Sequence, residues 1–213
     1  DVIDQFKERA AIVWDTEVEN VEYEDGELRH ASDTELRMGF KEAAGMMART
    51  GGPVVGRANI NPTGQGGSYS ANIVDVEIDP ETGKIDLLRY TAIQDVGTAV
   101  HIDNVEGQMQ GGTVQGIGWA LNEEYFMGDD GAMRNVSLLD YRIPTILDLP
   151  MIDTAIVEVP NPRHPFGVRG VGEANISPPL AAIANAVFDA TGVRMCSLPM
   201  NPASVLKALQ EKE

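Results

Sequence analysis

The chain has 213 residues, enough for one large domain or two small ones, and its 43% hydrophobic and 23% charged content is that of a folded globular protein. Asp and Glu outnumber Lys and Arg by 33 to 16, giving a formal charge of -17. That balance lacks the basic footprint of a nucleic-acid binder and disfavours an anionic membrane surface.

The opening stretch DVIDQFKERAAIVW has apolar Val2, Ile3, Phe6, Ala10 and Val13 at helical spacing, and its start without methionine points to a cut end. EVENVEYEDGELRH follows, with Val18, Val21 and Leu28 among acids, and reads as a small exposed hairpin turning at Asp25-Gly26. Ser32 or Asp33 then offers a cap for a helix over 34–49, ended by Gly51-Gly52. PVVGRANINPTGQGGSY carries too many glycines and prolines for a regular element and is expected to be a long loop.

ANIVDVEID, with Ile73, Val76 and Ile78, turns through DPETGK and returns as IDLLRYTAIQDVG, a strand hairpin. A helix over about 104–123 comes next, then a turn in FMGDDGAM, an extended piece near Val136–Tyr141 and the strand TAIVEVP. PPLAAIANAVFDATG is a helix ending at Gly192, and Asn201-Pro202 introduces the last helix as N-cap and first-turn proline. The elements alternate irregularly, so the expected class is α+β, with mixed sheets and hairpins packed by helices. The division expected is 1–67, a helix–hairpin–helix portion with the Gly-rich loop, and 68–213, together one continuous partial domain.

The lone cysteine, Cys196, lies among apolar residues in VRMCSL and can form no internal disulfide or thiolate cluster by itself; a buried thiol in a reducing compartment is expected. No stretch approaches the roughly 18 apolar residues of a spanning helix, and no signal-peptide pattern is present. Asn135-Val136-Ser137 and Asn175-Ile176-Ser177 match glycosylation sequons, but nothing else suggests secretion, so a cytoplasmic location is expected.

Two stretches stand out chemically. The first is NVEGQMQGGTVQGIGWALNE, where Gly107, Gly111, Gly112, Gly116 and Gly118 share one helical window. Each costs on the order of 1 kcal/mol against alanine, so something needs this backbone close. That partner is either another element or a ligand lying along the helix, held by Gln108 or Gln115, which share a face. The second is HPFGVRGVGEANISPP, where Gly167, Gly170 and Gly172 lead to the single acid Glu173, just before a helix opened by Pro178 and Pro179. Glu173 either complements the helix dipole or serves as a general base whose small neighbours let a bulky ligand approach. Ser177 is a plausible cap for that helix, which frees Glu173 from capping.

Other motifs are weak. GVRGVG is not in dinucleotide-binding order, no phosphate-binding G-x-x-x-x-G-K-[ST] occurs, and the serines lack a G-x-S-x-G context. His30, His101 and His164 are scattered without H-E-x-x-H spacing, and Asp95, at the end of IQDVG, reads as a turn cap.

Taken in order, DVEIDPETGKI, QDVG, VEGQMQGGTVQGIGWALNEEY, LDYRIPT, PFGVRGVGE, AIANAVFDATGV and LPMNPASVL resemble the C-terminal part of the molybdenum-binding subunit of the xanthine dehydrogenase/aldehyde oxidase family of molybdenum hydroxylases. The likeness runs from about Ser70 to Leu209. It implies a partial molybdenum-cofactor-binding domain in an enzyme that oxidises an aldehyde or an N-heterocycle such as a purine or pyridine, with water as the oxygen source. The glutamate of GVGE, here Glu173, is implied as the base beside the metal. The glutamine of VEGQ, here Gln108, is implied as a cofactor ligand together with Gly111 and Gly112. The metal itself is implied to be held by the pterin dithiolene and not by protein side chains.

The resemblance further implies a molybdopterin cofactor in its cytosine dinucleotide form, with 2Fe–2S clusters and FAD on partner subunits or domains. The chain departs from the family pattern at DVGTAVHID, where Asn-Pro often follows DVG. The family's substrate-binding arginine and other cofactor loops lie upstream of the matched stretch, so this chain is expected to carry half a site. Two alternatives stay open: a non-catalytic assembly module derived from the same fold, and a generic α+β binding domain whose glycines only pack helices. Having both Glu173 and Gln108 speaks against the module, which needs neither.

Overall fold

The computed structural model describes residues 1–59 and 66–212. The chain divides into two units, Asp1–Asn61 and Pro62–Glu213.

In the first unit, helix α1 (Val2–Trp14) precedes a three-stranded antiparallel sheet of β1 (Val21–Glu24), β2 (Glu27–His30) and β3 (Arg37–Gly39). The β1–β2 turn is the expected Asp25-Gly26 pair, both with positive φ (48° and 81°), which suits the twist of a two-residue hairpin. The hairpin is not simply exposed, however. Val21 and Leu28 are fully buried and pack with Phe6, Ala10 and Ala11 of α1, whereas Val2, Ile3 and Val13 stay exposed.

The helix expected over 34–49 begins only at Phe40. Met38 pairs with Leu28 and buries its side chain, so 37–39 add a strand to the open edge of β2. Asp33 accordingly caps a turn, accepting from the Glu35 amide at 3.0 Å. Two short helices follow, α2 (Phe40–Gly45) and α3 (Met47–Thr50), and Gly51 (φ 121°) ends the second as expected. Part of the expected long loop lies outside the described residues; 53–59 and 66–68 form no regular element.

The second unit is built on β4 (Tyr69–Ile78), β5 (Ile85–Asp95) and β6 (Ile152–Val157), in that spatial order. β4 and β5 form the expected hairpin, with Tyr69 opposite Asp95 and Ile78 opposite Ile85. Thr82 Oγ1 donates to Asp79 Oδ2 at 2.8 Å to hold its turn. β6 lies parallel to β5, so the connection between them must cross over, and helix α4 (Ile102–Leu121) supplies the crossover. His101 caps α4 by accepting from the Asn104 amide at 3.3 Å, which starts the helix two residues earlier than expected.

Helix α5 (Pro178–Thr191) lies against β4 and α4, and α6 (Pro202–Gln210) completes the unit. α5 ends at left-handed Gly192, and α6 is capped by Asn201, which accepts from the Ser204 amide at 2.9 Å; both were expected. Met109 and Ile117 of α4, Ile183 and Val187 of α5, Val205 of α6 and Tyr90 of β5 meet in one core. Burying each such aliphatic side chain contributes about 1.5–3 kcal/mol. The two small sheets, one antiparallel and one mixed, with helices packed on them make this an α+β fold.

Three expectations fail in this unit. Val136–Tyr141 is not extended: Ser137 Oγ donates to Asp140 Oδ2 at 2.9 Å and the Tyr141 amide bonds back to Ser137 O at 2.8 Å, closing a turn. Cys196 is exposed, because it lies in an irregular run between α5 and α6 and not on a packed face. Ser177 stands at the N-cap of α5 but already has helical φ/ψ, and its side chain makes no capping bond. Among the described residues, no helix is long and apolar enough to cross a membrane.

Candidate functional site

The end of β5 organises the site. Asp95 Oδ1 accepts from the amides of Gly97 (3.0 Å) and Val159 (3.2 Å), so it does cap the following turn. Its Oδ2 also pairs with Arg169 Nε at 3.1 Å, with the two side chains only 13% and 12% exposed. Arg169 Nη1 donates to Gly67 O at 2.7 Å, and its backbone amide bonds to Val96 O at 2.9 Å. Gly97 (φ 72°) is required here: a Cβ on it would stand 2.2 Å from Gly167 O. The strand end and the stretch 167–171 are therefore locked together, which delivers the turn 172–176 to the flank of α4.

That turn carries Glu173 at its tip. The side chain is exposed, while Asn175, two residues on, is fully buried. Asn175 Nδ2 donates to Gln94 Oε1 at 2.7 Å, and Asn175 Oδ1 accepts from Asn72 Nδ2 at 3.1 Å. Gln94 Nε2 in turn donates to Gly170 O (3.0 Å) and Ser68 Oγ (3.1 Å). Tyr90 donates to Asn72 Oδ1 at 2.7 Å, and burial pushes its phenol up from the usual tyrosine range. Ser70 Oγ donates to Ala174 O at 2.7 Å. Burial also places Asn175 out of reach of glycosylation in the folded chain, sequon notwithstanding.

The glycines of α4 have two different jobs. A Cβ on Gly112 would stand 3.1 Å from Gly172 O, and one on Gly116 would stand 2.3 Å from Ile176 O and 2.7 Å from Pro179 Cγ. Those two let the helix backbone press against the Glu173 turn and the start of α5. Gly107 and Gly111 lie on the exposed face, where a Cβ would meet nothing within 4 Å. No packing among the described residues accounts for them, and they flank exposed Gln108. The packing reading of the glycine-rich helix thus holds for Gly112 and Gly116, and the face of Gly107 and Gly111 is open. Gly112 serves the internal contact and Gly111 the open one.

Gln108 is brought against the turn that carries Glu173. A Cβ on Gly172 would come within 3.0 Å of Gln108 Oε1, so the glutamine side chain lies over the residue before the acid. Beside Gln108 opens a recess of about 260 Å³, walled mainly by Val96, Val100, Val105, Val168 and Val171. Gln115 shares the exposed face of α4 but opens on a separate cavity of about 430 Å³ with Trp119, Glu123, Tyr125 and Tyr141. There Tyr141 donates to Glu123 Oε2 at 2.7 Å, a bond that pushes its phenol up to about 12.

Sequence reasoning missed Asn72, Tyr90, Gln94, Asn175 and the Asp95–Arg169 pair. A signal was present: Asn72 is in phase with inward Val74 on β4, and Gln94 with buried Tyr90 and Ala92 on β5. A polar residue in phase with a core face must find buried partners. Among the described residues, no three His, Cys, Asp or Glu side chains stand together as a metal site.

The site thus combines an exposed carboxylate on a braced turn, a carboxamide against the residue before it, a helix face open to its backbone and an apolar recess. Residues 1–150 match the model of the molybdopterin cofactor-binding domain, a span that includes Gln108, Gly111 and Gly112 and stops short of Glu173. The chain belongs to that family, the molybdenum-binding part of the xanthine dehydrogenase and aldehyde oxidoreductase proteins.

The chain is 38% identical over 153 residues to the xanthine dehydrogenase molybdenum-binding subunit of Escherichia coli, a match covering 71% of this chain and 20% of that one. It is 36% identical over 143 residues to the aldehyde oxidoreductase of Megalodesulfovibrio gigas, covering 67% of this chain and 15% of that one. Quinoline 2-oxidoreductase from Pseudomonas putida shares the fold with a TM-score of 0.82 and 30% identity, over 99% of this chain and 28% of that chain. The chain thus spans about a fifth of the length of the curated relatives it matches.

Proposed function

We propose that this chain supplies the base and one wall of the cofactor site in a molybdenum hydroxylase that oxidises an aldehyde or an N-heterocyclic substrate. The observation that carries the reading is the meeting of two distant motifs, with Gln108 of VEGQ lying over Gly172 of GVGE. The names of the relatives, which concern a purine, an aldehyde and quinoline, support the substrate class.

The residues present fit a molybdopterin. The open flank at Gly107 and Gly111 leaves room for a flat group against the helix backbone, and the Gln108 carboxamide can both donate to and accept from its polar edge. When bound, the cofactor supplies a redox centre able to take two electrons from substrate. Glu173 takes the proton from the water-derived oxygen that attacks the electron-poor carbon, a role that contributes on the order of 10²–10⁴ in rate. The braced turn holds the carboxylate at the ligand's edge, so little motion is needed to place it. The cytosine dinucleotide form of the cofactor, and iron–sulfur and FAD partners that take the electrons onward, belong to the same reading.

Elemental and pterin analysis of the native assembly, purified with its partner chains, tests it. The proposal expects molybdenum and a pterin cytosine dinucleotide in that assembly. A non-catalytic assembly module would associate with partners and carry neither.

A further inference from the structure

We infer that Asn175 is a positioning residue for Glu173, through a buried amide relay that clamps the turn on both sides of the acid. The inference rests on Glu173 being the base. The glycines before the acid permit its conformation but cannot hold it, because a residue without a side chain anchors nothing. Holding requires bonds from a rigid element to the turn, and here they come from β4 and β5.

The clamp has two arms. Ahead of the acid, Gln94 Nε2 donates to Gly170 O. Behind it, Ser70 donates to Ala174 O, and Asn175 projects into the sheet between Gln94 and Asn72. Asn175 joins the arms: its Nδ2 donates to the same Gln94 side chain that holds Gly170, and its Oδ1 accepts from Asn72, whose orientation Tyr90 fixes. Each carboxamide offers one acceptor and two donors, so the sequence Tyr90, Asn72, Asn175, Gln94, Gly170 O has one consistent direction of donation. Reversing any amide breaks at least one bond among buried groups, and buried polar groups left unpaired are costly. The relay thus specifies one arrangement of the turn while leaving the Glu173 side chain exposed and free to meet a ligand.

Two variants and two readouts test this. In the chain alone, hydrogen exchange of the Ile176 amide, which closes the turn by donating to Glu173 O at 3.2 Å, is measured for Asn175→Ala and for Gln94→Glu. The second keeps the acceptor for Asn175 and removes the donor to Gly170 O. The expected result is exchange at Ile176 faster by on the order of 10-fold or more, with the β1–β3 sheet unchanged. In the assembled enzyme, Asn175→Ala is expected to lower kcat by roughly 10- to 100-fold while KM and molybdenum content stay at wild-type values, the pattern of a misplaced base. If Asn175→Ala does not fold, Ser70→Ala, which removes only the Ala174 bond, takes its place with the same expectation.

Wild-type exchange of the Ile176 amide in variants that only melt earlier would overturn the inference, leaving the relay as core satisfaction. So would unchanged kcat in an enzyme that Glu173→Gln inactivates. If Glu173→Gln is itself fully active, the assigned base is wrong, and the exchange measurement alone decides whether the relay clamps the turn.

Discussion

At the residue scale, the site turns on what stands beside Glu173. Gly172 has no left-handed φ, so its backbone tolerates alanine, yet the added methyl would lie 3.0 Å from Gln108 Oε1. Gly172→Ala is therefore expected to leave the melting temperature of the chain nearly unchanged, since the long glutamine side chain can swing aside. The same swing removes Gln108 from the ligand's edge, so the assembled variant should retain less cofactor; pterin content per chain is the readout. Glu173 stood out in the sequence as a candidate because three glycines leading up to one acid are costly without a reason. Asn175 did not, because nothing in ANISPP distinguishes a side chain pointing into the sheet from one pointing to water. Cys196 shows the converse: apolar neighbours in sequence do not bury a thiol when the segment belongs to no packed element.

At the scale of elements, α4 has a packed face and an open one, the second being the proposed binding face, and two alanine substitutions tell them apart. Gly116→Ala forces a methyl within 2.3 Å of Ile176 O, against backbone that cannot yield cheaply. A loss of about 1–3 kcal/mol is expected, by analogy with overpacked cores. Gly111→Ala meets nothing within 4 Å and gains helix propensity, so the isolated chain should be more stable by up to about 1 kcal/mol. In the assembly that same substitution is expected to weaken cofactor retention, because its methyl would occupy the open flank. Denaturant melts of the two variants, with pterin content, check both.

The long regular elements could be read from periodicity and caps: the β4–β5 hairpin, α5 stopping at Gly192 and α6 starting from Asn201-Pro202. The misread ones were short. Residues 37–39 look helical alone and become a strand only because β2 offers an unpaired edge, a tertiary effect that local sequence does not encode. At 136–141 a serine–aspartate bond, together with backbone bonds back to Ser137 O, turns an apparently extended segment.

At the scale of the whole molecule, the proposed function gives the chain one side of a site. The chain spans about a fifth of its curated relatives, and Glu173 stands exposed at its surface. The recess beside Gln108 supplies an apolar wall on one side only. In the proposed enzyme, the remaining walls come from further polypeptide, and the chain's formal charge of -17 offers no net attraction to an anionic pterin phosphate.

The central claim is that Glu173 is the base. Single-turnover reduction of the metal by substrate, measured in molybdenum-replete Glu173→Gln assembly, tests it most directly, because later electron transfer does not enter. The account predicts a rate lower by on the order of 10²–10⁴ at unchanged metal content. A rate within about twofold of wild type would contradict it.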